Sequence, residues 1–305
     1  MELAPIVLFV YNRPEHTRRT VEALKLNRLA DKTELYVFSD GPKGKADYPG
    51  VLEVRDYLQS VTGFGRVHIK ASAGNRGLAA SIIDGVTEIV NKHGRVIVLE
   101  DDIVTSSLFL EYMNQALSHY DDSEQVMHVS GYWYPCENSN LPESFFLRIP
   151  SPWGWGTWSR AWASFSKDAL ALQASLKRDD LYRFNLDGAH DFWEQVEHNI
   201  QGKANTWFIF WYASIFNQGG LCLYPAKSFS LNIGHDGTGV HCVTTEAYKV
   251  RLCEESVPSF SDDYSESTEA LSCIQEFHRR HCPSRFRRFL LILGQRLLKL
   301  LNWRT

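Results

Sequence analysis

The sequence predicts an α/β protein with a mostly parallel sheet flanked by helices. Three observations predict it. Strand-like runs alternate with helical patterns as far as residue 130, the arrangement expected of βαβ units. Several runs are continuously apolar, as strands buried on both faces are. The unusual polar residues fall just after the carboxyl ends of the runs, where such sheets bind ligands. With 305 residues, 44% hydrophobic and 22% charged, the chain can form one large domain with additions or two small ones.

Residues 5–11, PIVLFVY, are the first strand, and Asn12-Arg13-Pro14 opens a helix with Pro14 in its first turn. ELYVFS at 34–39 is a second strand ending at Asp40-Gly41-Pro42, a turn signal. Residues 51–60 read as helix and 67–70 as a short strand. After Gly74-Asn75-Arg76-Gly77, the spacing of Leu78, Ile82, Val86 and Ile89 predicts a helix. RVIVL at 95–99 is a strand ending in Glu100-Asp101-Asp102. Ser107–Tyr120 reads as helix and VMHVS at 126–130 as strand. From residue 132 the alternation weakens and Gly, Pro and Trp become frequent, with helices expected near 166–182, 190–201 and 207–217. Residues 254–268, acidic and Ser-rich, read as a loop or linker. The expected organisation is a catalytic domain over 1–250, with halves at 1–131 and 132–250, then a linker and helix over 251–283, then a basic tail over 284–305.

The net charge of -4 gives no reason to expect nucleic acid as a partner. Six cysteines lack any CxxC spacing, which argues against a zinc knuckle, and they read as reduced, buried residues. Met1–Pro5 runs straight into a strand with no charged or apolar leader, so a cytoplasmic protein is expected.

The acidic triplet is the leading candidate site. Alternation along a strand sends Glu100 and Asp102 to one side and Asp101 to the other. Carboxylates at the end of a buried strand are costly unless solvated or bound to a cation. Oxygen ligands suit Mg²⁺ or Mn²⁺, with a nucleotide diphosphate completing the shell; a solvated acidic turn is the plain alternative. Asp40 is either a turn cap or an acceptor for a pyrimidine N–H. Tyr11, Asn12 and Arg13, at the end of the first strand, join the cofactor-binding set; the Arg13 guanidinium matches phosphate. Asn75 and Arg76 sit at a helix start, where N–H groups favour anions. Five of nine Trp lie between Trp133 and Trp162, as core packing or as sugar-stacking surfaces.

The array FVYNRPEHTRRTVEAL, VFSDG, GNRGLAASI and VIVLEDDIVTSSLFLEYMNQAL resembles a GT-A (Rossmann-like) glycosyltransferase, similar to the bacterial family 2 sugar transferases. WGWGTWSRAW and SLNIGHDGTGVHC are similar to segments of the N-acetylglucosaminyltransferase I group. The resemblance covers about residues 5–242. It implies inverting transfer from a nucleotide-sugar donor to a glycan or lipid-linked acceptor of surface polysaccharide synthesis. Asp102 would be the main metal ligand, with Glu100 and Asp101 beside it. Asp40 would hold the uracil of a UDP-sugar, and Arg13 would lie near the phosphates. Trp153, Trp155 and Trp158 would wall the acceptor pocket. His235 and His241, in a Gly-rich loop, are candidates to touch substrate and metal respectively. The sequence departs from the resemblance at Trp207-Phe208-Ile209-Phe210-Trp211, which lacks the carboxylate that serves as base in the related eukaryotic enzymes. Asp191 and Glu194 are the nearest acidic candidates for the base, with a solvated helix face as the alternative.

Residues 284–305 carry six basic residues, no acidic ones, and an apolar stripe from Phe286 to Leu301. A basic amphipathic helix either lies peripherally on the inner membrane face or docks on protein. Two rival functions remain: a sugar nucleotidyltransferase, disfavoured because FVYNRPEH has no glycines, and an inactive sugar- or nucleotide-binding protein.

Overall fold

The computed structural model describes residues 2–136, 140–237 and 244–282. His241 and the basic tail lie outside the described residues. The first half is a βα succession: β1 (Ile6–Val10), α1 (Pro14–Lys25), β2 (Glu34–Ser39), α2 (Tyr48–Gln59), β3 (Arg66–Ala71), α3 (Leu78–His93), β4 (Arg95–Glu100), β5 (Ile103–Thr105), α4 (Phe109–His119) and β6 (Val126–Ser130). The second half adds β7 (Ser144–Leu147), β8 (Trp155–Trp158), α5 (Ser159–Trp162), α6 (Ala169–Ser175), α7 (Arg178–Phe184), α8 (Trp193–Ile200), α9 (Phe208–Asn217), β9 (Leu221–Pro225), β10 (Ser230–Asn232) and α10 (Thr268–His281).

Eight strands form one sheet in the order β3-β2-β1-β4-β8-β6-β9-β7. The pairs among β1, β2, β3 and β4 are parallel, as is β6 with β9. β8 is antiparallel to both neighbours, and β7 is antiparallel to β9. The α/β class and the mostly parallel sheet are therefore as the sequence predicts. The sheet divides the core in two. Val7 and Phe9 join one apolar cluster, while Ile6, Leu8 and Val10 join the other, which is the period-two alternation of a strand covered on both faces.

Three second-half features escape the sequence pattern. WGTW, which carries no strand pattern in the sequence, forms β8, inserted between β4 and β6. Its alternation sends Trp155 to one core cluster and Trp158 to the other. Helices expected over 166–182 form as two short ones, α6 and α7, with Leu176 extended between them. The 254–268 segment is irregular as expected, yet it is not a free linker. Val257 and Phe260 pack on the core, Tyr120 Oη donates to Ser261 O at 2.7 Å, and Glu266 pairs with Arg148.

Arg148 is only 7% exposed and lies between Glu266 and Asp187, the latter at 2.9 Å. A buried charge is tolerated only while paired. Among the described residues, no helix is long and apolar enough to cross a membrane. Glu266→Ala is expected to lower the unfolding free energy by about 1–3 kcal/mol, because it removes one of the two carboxylates paired with Arg148 and the acceptor of Arg148 N; urea denaturation checks this, and a loss under about 1 kcal/mol would show the Glu266 contact to be energetically idle.

Candidate functional site

The chain order moves outward from β1 through β2 to β3, then returns to place β4 on the other side of β1. That reversal opens a crevice at the carboxyl ends of β1 and β4, the place where open α/β sheets bind ligands. Register sets Phe9 beside Glu100, so Tyr11, Asn12 and Arg13 emerge beside the acidic triplet.

Arg13 Nη1 lies 2.9 Å from Asp102 Oδ2 and 3.4 Å from Asp101 Oδ1. Asp101 and Asp102 are 8% and 9% exposed, and Glu100 is half-buried. Removal from water, then repulsion from Asp102 and Asp101, raises the Glu100 carboxyl well above the usual carboxylate range, with Arg13 opposing. Burial and Asp102 likewise raise Asp101. One guanidinium is thus set against three carboxylates, a charge excess that a proton or a cation must relieve.

A second loop closes over this point. β10 pairs antiparallel with β5, Asn232 opposite Ile103, and Ile233 N donates to Asp102 O at 2.9 Å. Gly234 then backs directly onto the Asp102 carboxylate, and a Cβ there would overlap Asp102 Oδ2. Asp236 Oδ2 lies 3.0 Å from His16 Nε2. His16 stands three residues beyond Arg13, in the first turn of α1. Thr20, one further turn along, donates to Asp101 O at 2.8 Å. Sequence reading passes over His16 and Thr20; their helical spacing from Arg13 is the signal that finds them.

The Asp40 carboxylate is occupied by donors of the chain itself. Its Oδ1 accepts from Gly41 N and Arg76 N, both at 2.8 Å. Its Oδ2 accepts from Gly77 N at 2.9 Å and Asn75 Nδ2 at 3.0 Å. A carboxylate has about four acceptor sites, so Asp40 is filled from within the chain. It is itself the anion at the start of α3, where main-chain N–H groups converge. Gly41 makes this possible: a Cβ there would come 2.5 Å from Gly74 C. Gly77, at φ +79, supplies the left-handed turn. Asn75 also donates to Gly41 O at 2.9 Å, and the exposed Arg76 side chain pairs with Asp84. Arg55 of α2 ties the same corner, donating to Ser72 O at 2.7 Å and Asp40 O at 3.2 Å. On the other wall, Asn12 Nδ2 donates to Asp47 Oδ1 at 2.8 Å, and the Tyr11 hydroxyl accepts from Lys43 N at 3.0 Å.

The remaining candidates divide. Trp155 and Trp158 are 1% and 2% exposed; they are core side chains of β8 and present no face to a ligand. Trp158 Nε1 donates inward to Leu117 O at 2.9 Å. Trp153 is half-buried and meets the His235 ring edge-on at 5.4 Å. Asp191 Oδ1 accepts from Glu194 N at 3.2 Å, a helix-start contact at α8. The 207–211 segment is the buried start of α9. A cavity lined by Leu141, Lys227, Phe229, Cys253 and Pro258 lies by β7 and β9 and includes none of these candidates.

No protein-family model matches the chain, and no curated protein does. Among solved structures, S. aureus TarS 1-349 matches with TM-score 0.41 and 9% identity, over 74% of this chain and 59% of that one. The chain thus spans 59% of that TarS structure. Mannosyltransferase PcManGT from Pyrobaculum calidifontis, seen with GDP-Man and Mn²⁺, matches with TM-score 0.40 and 12% identity over 72% of each chain. Mouse xyloside xylosyltransferase 1 matches with TM-score 0.36 and 10% identity, over 70% of this chain and 81% of that one. A shared activity does not follow from likeness at this level.

Asp40→Ala is expected to destabilise the fold by about 1–3 kcal/mol, because three main-chain N–H groups, the buried one of Gly41 among them, lose their acceptor. Urea unfolding measures it, and an unchanged midpoint would return Asp40 to a purely ligand-facing role.

Proposed function

We propose that the protein is a divalent-cation-dependent glycosyltransferase, moving a sugar from a nucleotide-sugar, with UDP as the expected nucleotide, to a glycan or lipid-linked acceptor. The observation supporting this is the set of three carboxylates sharing one guanidinium at the β1/β4 crevice. Oxygen-only donors suit Mn²⁺ or Mg²⁺. Asp102 would hold the ion with Asp101 and Glu100 beside it, and the ion, when bound, neutralises the departing diphosphate. Arg13, relieved of Asp102, is positioned to turn its donors to phosphate at the start of α1. The nucleoside is proposed to lie between the ends of β1 and β2, against Tyr11 and the loop that Asp40 and Asn75 hold. Trp153 and His235 are the aromatic pair left for the acceptor side. The inverting course, the link to surface polysaccharide, and peripheral membrane contact through residues 284–305 belong to the same proposal.

Calorimetric titration of UDP with and without Mn²⁺ tests the donor site. Metal-dependent UDP binding that Asp102→Ala abolishes is the expected result. No binding of UDP or another nucleoside diphosphate by the folded, Mn²⁺-supplied protein would overturn the proposal.

Asp191 and Glu194 are the proposed carboxylates for deprotonating the acceptor. Of Asp191→Asn and Glu194→Gln, one is expected to lose about 10²–10⁴-fold in kcat with UDP affinity unchanged; full turnover in both variants would place the base elsewhere. A binding protein without turnover is the second reading, favoured by the wholly apolar start of α9; transfer to any acceptor excludes it.

A further inference from the structure

A second cluster of ligating side chains lies at the far end of α10. His278 and Cys282 are four residues apart, so they share one helical face a turn apart. His190 reaches them from the turn before α8. The candidate ligand atoms of His190, His278 and Cys282 all lie within 4.8 Å of one another. The two imidazole rings sit 4.6 Å apart, tilted by 35°.

His278 is the informative member. It is 4% exposed, and neither ring nitrogen has a hydrogen-bond partner. Phe192, Tyr134 and Phe277 surround it, with ring centres 5.5, 5.6 and 5.7 Å away. An imidazole buried among aromatic rings without partners costs free energy that a Leu or Phe would not. A metal bond to one ring nitrogen removes that cost and gives the polar ring a reason to be there. Burial and the neighbouring His190 and His281 lower the affinity of His278 for a proton.

We propose that His190, His278 and Cys282 bind a borderline-soft divalent cation of the Zn²⁺ class. Two imidazoles and a thiolate are the wrong donors for Mg²⁺ or Mn²⁺, which separates this site chemically from the carboxylates at β4. Binding ionises the Cys282 thiol and releases its proton to solvent. Three protein ligands leave a fourth position to water in a tetrahedral ion. The Tyr248 hydroxyl lies 3.3 Å from Cys282 Sγ, within hydrogen-bonding reach of the thiolate. The Tyr248 ring in turn stacks on His235 at 4.8 Å. The ion therefore clips the end of α10 to the turn before α8, and braces through Tyr248 the loop that backs Asp102.

The test is Co²⁺ titration of the full, untagged chain after chelation. Expected is one equivalent of Co²⁺ giving near-ultraviolet thiolate-to-cobalt charge transfer and the visible bands of a four-coordinate ion, displaced by Zn²⁺. Asp102→Ala is expected to keep this spectrum, so failure of the carboxylate site and failure of this one are read separately. Cys282→Ser should remove the thiolate band. His190→Ala, at a half-buried turn, should weaken Co²⁺ on the order of tenfold or more even where Cys282→Ser fails to fold. A folded wild type without the thiolate band overturns the proposal, as does a band that survives in folded Cys282→Ser or an affinity unchanged in His190→Ala.

Discussion

Burying a carboxylate without its counter-charge costs several kcal/mol, and the end of β4 buries Asp101 and Asp102 and half-buries Glu100 beside the guanidinium of Arg13. Much of the local architecture is fitted to that charge. α1 points its amino-terminal end at it, with Arg13 just before the helix and His16 and Thr20 in its first two turns. The β5–β10 ribbon delivers a glycine, the one residue able to lie against Asp102 without overlap. These elements hold the acidic groups closer together than their charges favour.

A second anion is handled in the opposite way. Asp40 is saturated by four internal donors and fixes the path from β3 into α3. The two acidic positions, alike in sequence as residues at strand ends, therefore differ in kind. The triplet has acceptor capacity in excess of its donors, whereas Asp40 has none to spare. An unfilled acceptor set, more than acidity itself, marks where a cation is wanted.

The sequence pattern is legible where local rules act alone. Continuous apolar runs gave β1, β2, β4 and β6, and 3.6-residue spacing gave α1, α3 and α4, each within a few residues. The convergence of Arg13 with Glu100–Asp102 follows from the strand order. What stays hidden depends on partners distant in the chain. WGTW shows no strand pattern in sequence because two Trp and a Gly make no half-buried alternation, yet both faces of β8 are buried, so both faces carry Trp. For the same reason Trp155 and Trp158 look like stacking surfaces in sequence and are core in the fold. The occupation of Asp40 comes from main-chain N–H groups, which no side-chain pattern announces. The His190–His278–Cys282 cluster joins His190 to residues 88 and 92 positions further along and is visible only once α10 is folded back.

The antiparallel insertion of β8 also constrains how the chain is made. β4 and β6 both precede residue 155, yet neither can complete its hydrogen bonding until β8 arrives between them. During synthesis the amino-terminal half therefore emerges with β4 as an unpaired edge rich in Val, Ile and Leu, the kind of strand that recruits other chains. Until the ribosome has released WGTW that edge stays open, and any truncation before residue 155 makes the exposure permanent.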